Sequence, residues 1–165
     1  MCACALLVAA TVVIAYMCKL FMTFGAVRVT FENLPIIMAG IFFGPLAGLL
    51  TGVSADLIST AVSQYGIGGI NPLITLGAGA VGLVAGLVGK GAKKGSVRLG
   101  AAVYSAHIVG NIIIKSAGLM LYFSYSLPAV LPRIPLYLII ATAECIVIYV
   151  LTKSSGFRKA IGVMK

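Results

Sequence analysis

The chain has 165 residues, of which 61% are hydrophobic and only 9% charged, with a mean hydropathy of +1.16. Soluble domains carry about a quarter charged residues, so this composition excludes an ordinary soluble protein and points to an integral membrane protein. Lys and Arg outnumber Asp and Glu by 12 to 3, but most of the cations fall in two clusters and no nucleic-acid-binding motif accompanies them, so the charge reads first as membrane topology.

In chain order, Gly and Pro punctuation divides the apolar sequence into six predicted helices, at about 2–22, 32–44, 46–64, 71–89, 99–123 and 134–152. The expectation is one all-α integral membrane domain over 1–165. Five segments approach the roughly 20 residues that a spanning helix needs. The first lacks the basic start and cleavage site of a signal peptide and reads as a membrane helix. The chain opens inside it, and a short polar lead is expected ahead of it. The second segment is short, tilted or partly unwound, because "FENLPIIMAGIFFGP" ends in a break at Gly44 with Pro45 opening the next helix.

Orientation follows from the basic residues. Lys90, Lys93, Lys94 and Arg98 lie between the fourth and fifth helices, and Lys153, Arg158, Lys159 and Lys165 follow the sixth. With six spans these clusters share a side, which the positive-inside rule makes the cytoplasm. Both termini are then cytoplasmic, and the loops near 23–31, 65–70 and 124–133 face outward.

Small residues recur at spacings of four: Gly40, Gly44, Gly48 and Gly52, then Gly82 and Gly86, and Ala5 and Ala9 in the first helix. Such rows let helix backbones approach closely in lipid, and packing within the chain is their plain reading. Cys2, Cys4, Cys18 and Cys145 show no metal-ligand spacing and sit in apolar segments, as reduced packing residues would. No metal site is indicated.

Positive-inside does not account for Lys19, Arg28, Lys115 and Arg133, which all fall in the outer half. Lys19 can snorkel from the end of the first helix. Arg133 opens the sixth helix, where the macrodipole gives a cation nothing, so an anionic partner would suit it. In the fifth helix His107, Asn111 and Lys115 are spaced by four. On an α-helix they cover an arc of about 80° and climb roughly 12 Å toward the outside. Facing lipid they would cost several kcal/mol, so the stripe must face the bundle interior or a wet cavity. His107 is either a ligand contact or part of an internal network with Asp56 or Glu144. Outward-leaning aromatics, among them Phe31, Tyr65 and Tyr122, form either an interfacial belt or the walls of a site. Aromatic walls with a few cations suit a flat heterocycle that carries carboxylates, because Arg holds carboxylate in a two-point fork.

Two other classes compete. Asp56, His107 and Glu144 could serve as the proton relay of an ion-coupled secondary transporter, although no inverted repeat is detectable. A purely structural membrane subunit would bind nothing. Catalysis is not expected, since HExxH, GxSxG and any His-rich set are absent.

The stretches "VRVTFENLPIIMAGIFFGPLAGLLTGVSADLI" and "GINPLITLGAGAVGLVAGLVGK" resemble the substrate-binding S-components of energy-coupling factor (ECF) vitamin transporters. "AHIVGNIIIKSAGL" and "RIPLYLIIATAE" are most similar to the folate-type branch. The resemblance runs from Ala5 to about Lys153. It implies six helices, cytoplasmic termini, residence in a prokaryotic plasma membrane, and a vitamin captured from outside under the loop between helices one and two. Family members carry no ATPase of their own, and this chain has no GxxxxGK[ST]. ATP is then used by partners, a transmembrane T-component and two cytosolic ATPases, with no cofactor in this chain. An AxxxA motif on the first helix meets the T-component in that family, and Ala5 and Ala9 match it. On this reading Arg28, Lys115 and Arg133 counter the substrate's carboxylates, Asn71, His107 and Asn111 contact its ring, and Phe31, Tyr65 and Tyr122 wall it. The chain departs from the family's pattern in its missing polar lead and in having no Trp.

Overall fold

The computed structural model describes residues 2–21, 23–24, 27–28, 30–62, 70–89 and 96–154. Helix α1 spans Cys2–Phe21. A minimal antiparallel hairpin follows, β1 Thr23–Phe24 and β2 Val27–Arg28, pairing Thr23 with Arg28 and Phe24 with Val27. Then come α2 Asn33–Phe43, α3 Pro45–Ala61 and α4 Pro72–Val88. The fifth rod is continuous but changes type: α5 Ser96–Ala106, a π-helical segment His107–Lys115, and α6 Ser116–Phe123. A single turn, α7 Leu127–Val130, precedes α8 Arg133–Lys153. The third helix stops at Ala61 rather than 64, and the fifth starts at Ser96 rather than 99. The hairpin, α7 and the π segment are additions to the expected elements.

Two helices are long and apolar enough to cross a membrane by themselves, Val97–Phe123 and Arg133–Lys153, and four shorter apolar helices accompany them. The shortest, α2, has 11 residues, roughly 16 Å at 1.5 Å per residue and about half a bilayer core. It is regularly wound rather than unwound, and it is enclosed: Pro35, Ile36, Ile37, Met38, Ala39, Gly40 and Ile41 are all buried. Gly44 then adopts φ +103°, a conformation L side chains rarely enter, and Pro45 opens α3 at once. The break therefore costs little, and α2 and α3 pack against each other as two separate helices.

That pair seats on α4 backbone to backbone. A Cβ built on Gly40, Gly48 or Gly52 would overlap carbonyl groups of α4, and one on Gly82 would overlap Gly48. Gly40, Gly48, Gly52, Gly82 and Gly86 of the small-residue rows thus form the α2–α3–α4 interface, where close approach gives dispersion and Cα–H contacts in place of a hydrophobic drive. Next to it lies the apolar core, in which Ile36, Ile37 and Ile41 of α2 and Val81 of α4 meet Leu99, Val103 and Ala106 of α5 and Ile148 of α8. Outside, Leu6, Leu50, Leu76, Leu121, Ile139 and Val150 are each at least 60% exposed. Such a surface is untenable in water and natural in lipid.

Successive long helices run in opposite directions. One end of the bundle carries the hairpin, the start of α2, the end of α3, and α7. The other carries Gly44, Val88, Arg98 and Lys153. Arg98 and Lys153 are both exposed there. The basic residues at 90–94 and 158–165 lie outside the described residues.

Candidate functional site

The polar stripe of the fifth rod is where the helix departs from α geometry. His107, Asn111 and Lys115 all lie in the π-helical segment, so the 100° per residue behind an 80° arc does not apply to them. With i→i+5 bonds the turn is wider. The Ser116 hydroxyl donates to the Asn111 carbonyl at 3.2 Å. The segment is held against α4 by glycines: a Cβ on Gly110 would strike Val81 and the Gly77 carbonyl, and one on Gly77 would meet the Lys115 stem at 2.6 Å. All three polar side chains are thereby turned inward, and His107 and Asn111 are fully buried.

The stripe divides between two separate settings. At mid-rod, His107 Nε2 lies 2.8 Å from Glu144 Oε2 of α8, and Asn111 Nδ2 lies 3.0 Å from His107 Nδ1. One tautomer satisfies both contacts: Nε2–H donates to the carboxylate, and Nδ1 accepts from the amide. Of the two acids considered for His107, the structure selects Glu144. The Tyr137 ring packs on His107 with centroids 5.9 Å apart. Arg133 in turn donates to the Tyr137 hydroxyl at 3.1 Å, its guanidinium 5.3 Å from the ring centroid. Arg133 thus meets a ring and a hydroxyl where an anion was expected. Its partner, four residues on in the same helix, was not singled out in the sequence, although the i,i+4 spacing of Arg and Tyr was the available signal.

Toward the hairpin end, Lys115 reaches a small cavity among α1, α2, α3 and α4. Thr11 and Ala15 line it from α1, Glu32 and Ile36 from the start of α2, Ala55, Asp56 and Ser59 from α3, and Ala78 from α4. Lys115 Nζ stands 3.6 Å from Glu32 Oε1, an ion pair largely shielded from solvent. Asp56 Oδ2 accepts from the Thr75 hydroxyl at 2.7 Å. The void is about 20 Å³, room for roughly one water molecule. Glu32, beside the LPI segment, was also missed in the sequence reading.

The other expected residues are distributed as follows. Asn71 is the N-cap of α4, its Oδ1 accepting from the Leu73 and Ile74 amides at 2.9 and 3.4 Å, while its Nδ2 donates to the Gly118 carbonyl at 3.5 Å. Its start-of-helix placement holds, with the backbone of this chain as partner. Phe31 precedes α2 and is half-buried, and Tyr122 is exposed near the end of α6. Neither lines the Lys115 cavity. Arg28 lies on β2, and Tyr65 falls outside the described residues. Ala5 and Ala9 are exposed one turn apart on α1. Among the described residues no group of three or more His, Cys, Asp or Glu could hold a metal ion. Several buried polar atoms find no hydrogen-bond partner among the described residues: Asn111 Oδ1, Glu144 Oε1, Thr51 Oγ and both amide atoms of Asn33.

A lipid-faced helical bundle that buries a His–Glu–Asn network at mid-rod and a Lys–Glu pair beside a cavity nearer one end is the architecture of a membrane-embedded transport protein. The chain belongs to the ECF transporter substrate-specific component family, whose model matches residues 1–155. It is accordingly a substrate-binding subunit of a transporter and not an enzyme. Its fold is similar to that of FolT bound with folic acid in a crystal structure, at a TM-score of 0.76 over 92% of this chain and 91% of that one, with 21% sequence identity. No curated protein matches the chain in sequence.

Proposed function

We propose that this protein is the folate-binding S-component of an ECF-type importer in a prokaryotic plasma membrane. It spans the membrane six times with both termini in the cytoplasm and takes its vitamin from the outside. The burial of α2 supports counting both short helices as spans, since neighbouring helices enclose most of its residues. Arg98 and Lys153 at one end support the orientation. Energy comes from partners, a T-component and two cytosolic ATPases, and the exposed Ala5 and Ala9 supply a close-packing strip for the T-component.

The observation that carries the folate reading is the likeness to FolT over nine-tenths of both chains, combined with inward-turned polar groups clustered at the end that faces outward. On this reading Arg28, Lys115 and Arg133 counter the carboxylates of the substrate, Asn71, His107 and Asn111 contact its ring, and Phe31, Tyr65 and Tyr122 wall it. A ligand panel on the detergent-purified chain tests it. Folic acid is expected to raise the melting temperature in proportion to its binding. A shift from riboflavin or thiamine with none from folic acid assigns a different vitamin. Proton-driven uptake by proteoliposomes holding this chain alone would instead identify an ion-coupled transporter, a reading the structure favours less, because Asp56 bonds to Thr75 while His107 bonds to Glu144.

A further inference from the structure

His107 and Glu144 are the most enclosed titratable groups among the described residues, with no exposed surface on either side chain. A carboxylate on Glu144 beside a neutral ring on His107 would leave one uncompensated negative charge in the core of a lipid-faced bundle, where a lone charge is very costly. The surrounding groups do not balance it. Lys115 on the same rod and Glu32 ahead of α2 both act on Glu144 through space, with opposite signs, and are joined to each other at 3.6 Å. On α8, Arg133 is engaged by the hydroxyl and ring of Tyr137, and Tyr137 meets His107 ring to ring. Tyr104 on α5 bonds to Thr142. Helix α4 has no titratable side chain, and α2 has none beyond the Glu32 that precedes it. Glu144 Oε1 and Asn111 Oδ1 are buried acceptors without a donor, so the network is short of protons rather than of places to put them.

We infer that His107 and Glu144 form a proton-binding site, holding between them one proton more than a neutral imidazole and a carboxylate would, and that this proton locks the rod to α8. The two groups titrate as one unit. The proton sits on the carboxyl, or on Nδ1 with the Asn111 amide turned end for end so that Oδ1 accepts, since both amide orientations fill the same space. Either way the pair is neutral overall. The proton comes from water when the fold closes and returns to water when it opens. An unfolded histidine is neutral above about pH 6.5 and an unfolded glutamate is ionised above about pH 4.3. Above about pH 7 unfolding therefore releases the proton, and the folded-to-unfolded ratio falls about tenfold for each unit of pH until the folded pair itself gives the proton up. Between about pH 5 and pH 6 the unfolded chain holds a proton too, and this contribution is level. The inference stands apart from the identity of the vitamin.

The test follows reversible unfolding of the ligand-free chain in detergent across this pH range, for the wild type and Glu144→Gln. Glutamine keeps an oxygen for Nε2–H but needs no proton. From about pH 7 upward the wild type is expected to lose stability about tenfold per unit relative to the variant. From about pH 6 down to about pH 5 the order reverses: the wild type is level while the variant weakens, because its buried ring must stay neutral as the unfolded histidine gains a proton. Parallel profiles overturn the inference. Wild-type stability that follows sodium against choline at fixed pH, and ignores pH, assigns the balancing charge to a metal cation and overturns it as well. Should Glu144→Gln fail to fold, spectroscopy of the wild type near neutral pH decides. The chain has one histidine, so the ring 15N resonances report His107 alone, and 13C-carboxyl-labelled glutamate shows whether a glutamate carboxyl is protonated. An imidazolium, or a neutral ring with a protonated glutamate, supports the inference; a neutral ring with fully ionised glutamates refutes it.

Discussion

His107 and Glu144 sit with Nε2 and Oε2 2.8 Å apart and no exposed surface on either side chain, so the one contact that ties the π-helical segment to α8 through charged chemistry is also among the least solvated. Removing one partner strands the other in the core. Glu144→Ala is expected to cost about 3 kcal/mol, whereas replacing both partners by Leu should recover much of that, since an apolar pair needs no partner. Thermal unfolding in detergent compares them. A double variant no more stable than Glu144→Ala would mean that the pair contributes more than mutual satisfaction.

The glycines give a graded series. At Gly82 an added Cβ overlaps the Gly48 backbone, at Gly44 it meets nothing within 4 Å but the φ is +103°, and at Gly100 the nearest atom is the Cys145 sulfur at 4.0 Å. Alanine at Gly82 should therefore be the most damaging, by several kcal/mol, because two helices must separate. Alanine at Gly44 should cost about 1–2 kcal/mol from backbone strain alone. Alanine at Gly100 should be neutral or gain up to about 1 kcal/mol from helix propensity. Any other order of melting temperatures would contradict the packing described.

Asn71 separates capping from ligand contact. Asn71→Asp keeps the oxygen that accepts from Leu73 and Ile74 but removes the donor to Gly118, whereas Asn71→Ala loses both. The alanine variant should lose about 1 kcal/mol of stability and the aspartate variant less. Folic acid affinity that collapses in the aspartate variant while its melting temperature holds would assign the amide to the substrate.

Ser124 ends α6 at φ 52°, a left-handed conformation. Glycine there should stabilise the chain by up to about 1 kcal/mol, because the Cβ penalty vanishes at a position where helices commonly end in Gly. Equal or lower melting of Ser124→Gly would mean that the hydroxyl has a role of its own.

Helix positions were largely legible because punctuation was explicit: Gly44-Pro45 and Asn71-Pro72 each mark a helix start that propensity alone fixes. The inward stripe was legible too, since polar groups in an apolar rod have one tolerable direction. Its π winding was not, because that depends on Gly110 meeting Val81 and Gly77 across a helix contact, which single-helix periodicity does not contain. The choice of Glu144 over Asp56 for His107 likewise turns on which helices are neighbours. Glu32 escaped notice because a lone carboxylate in a loop looks like ordinary surface until the lysine it faces is 83 residues away in sequence and 3.6 Å away in space.

The glycine contacts among α2, α3 and α4 also have a mechanical side. Where backbones touch, no side chain is left to change rotamer and take up a displacement, so these three helices can shift only as one stiff body, and Gly110 against Gly77 extends that stiffness to the π segment. A void the size of one water cannot admit a vitamin until something yields. If the proposed vitamin enters there, α1, whose Thr11 and Ala15 close the remaining side, is the element left to give way, and it is the same helix that displays Ala5 and Ala9.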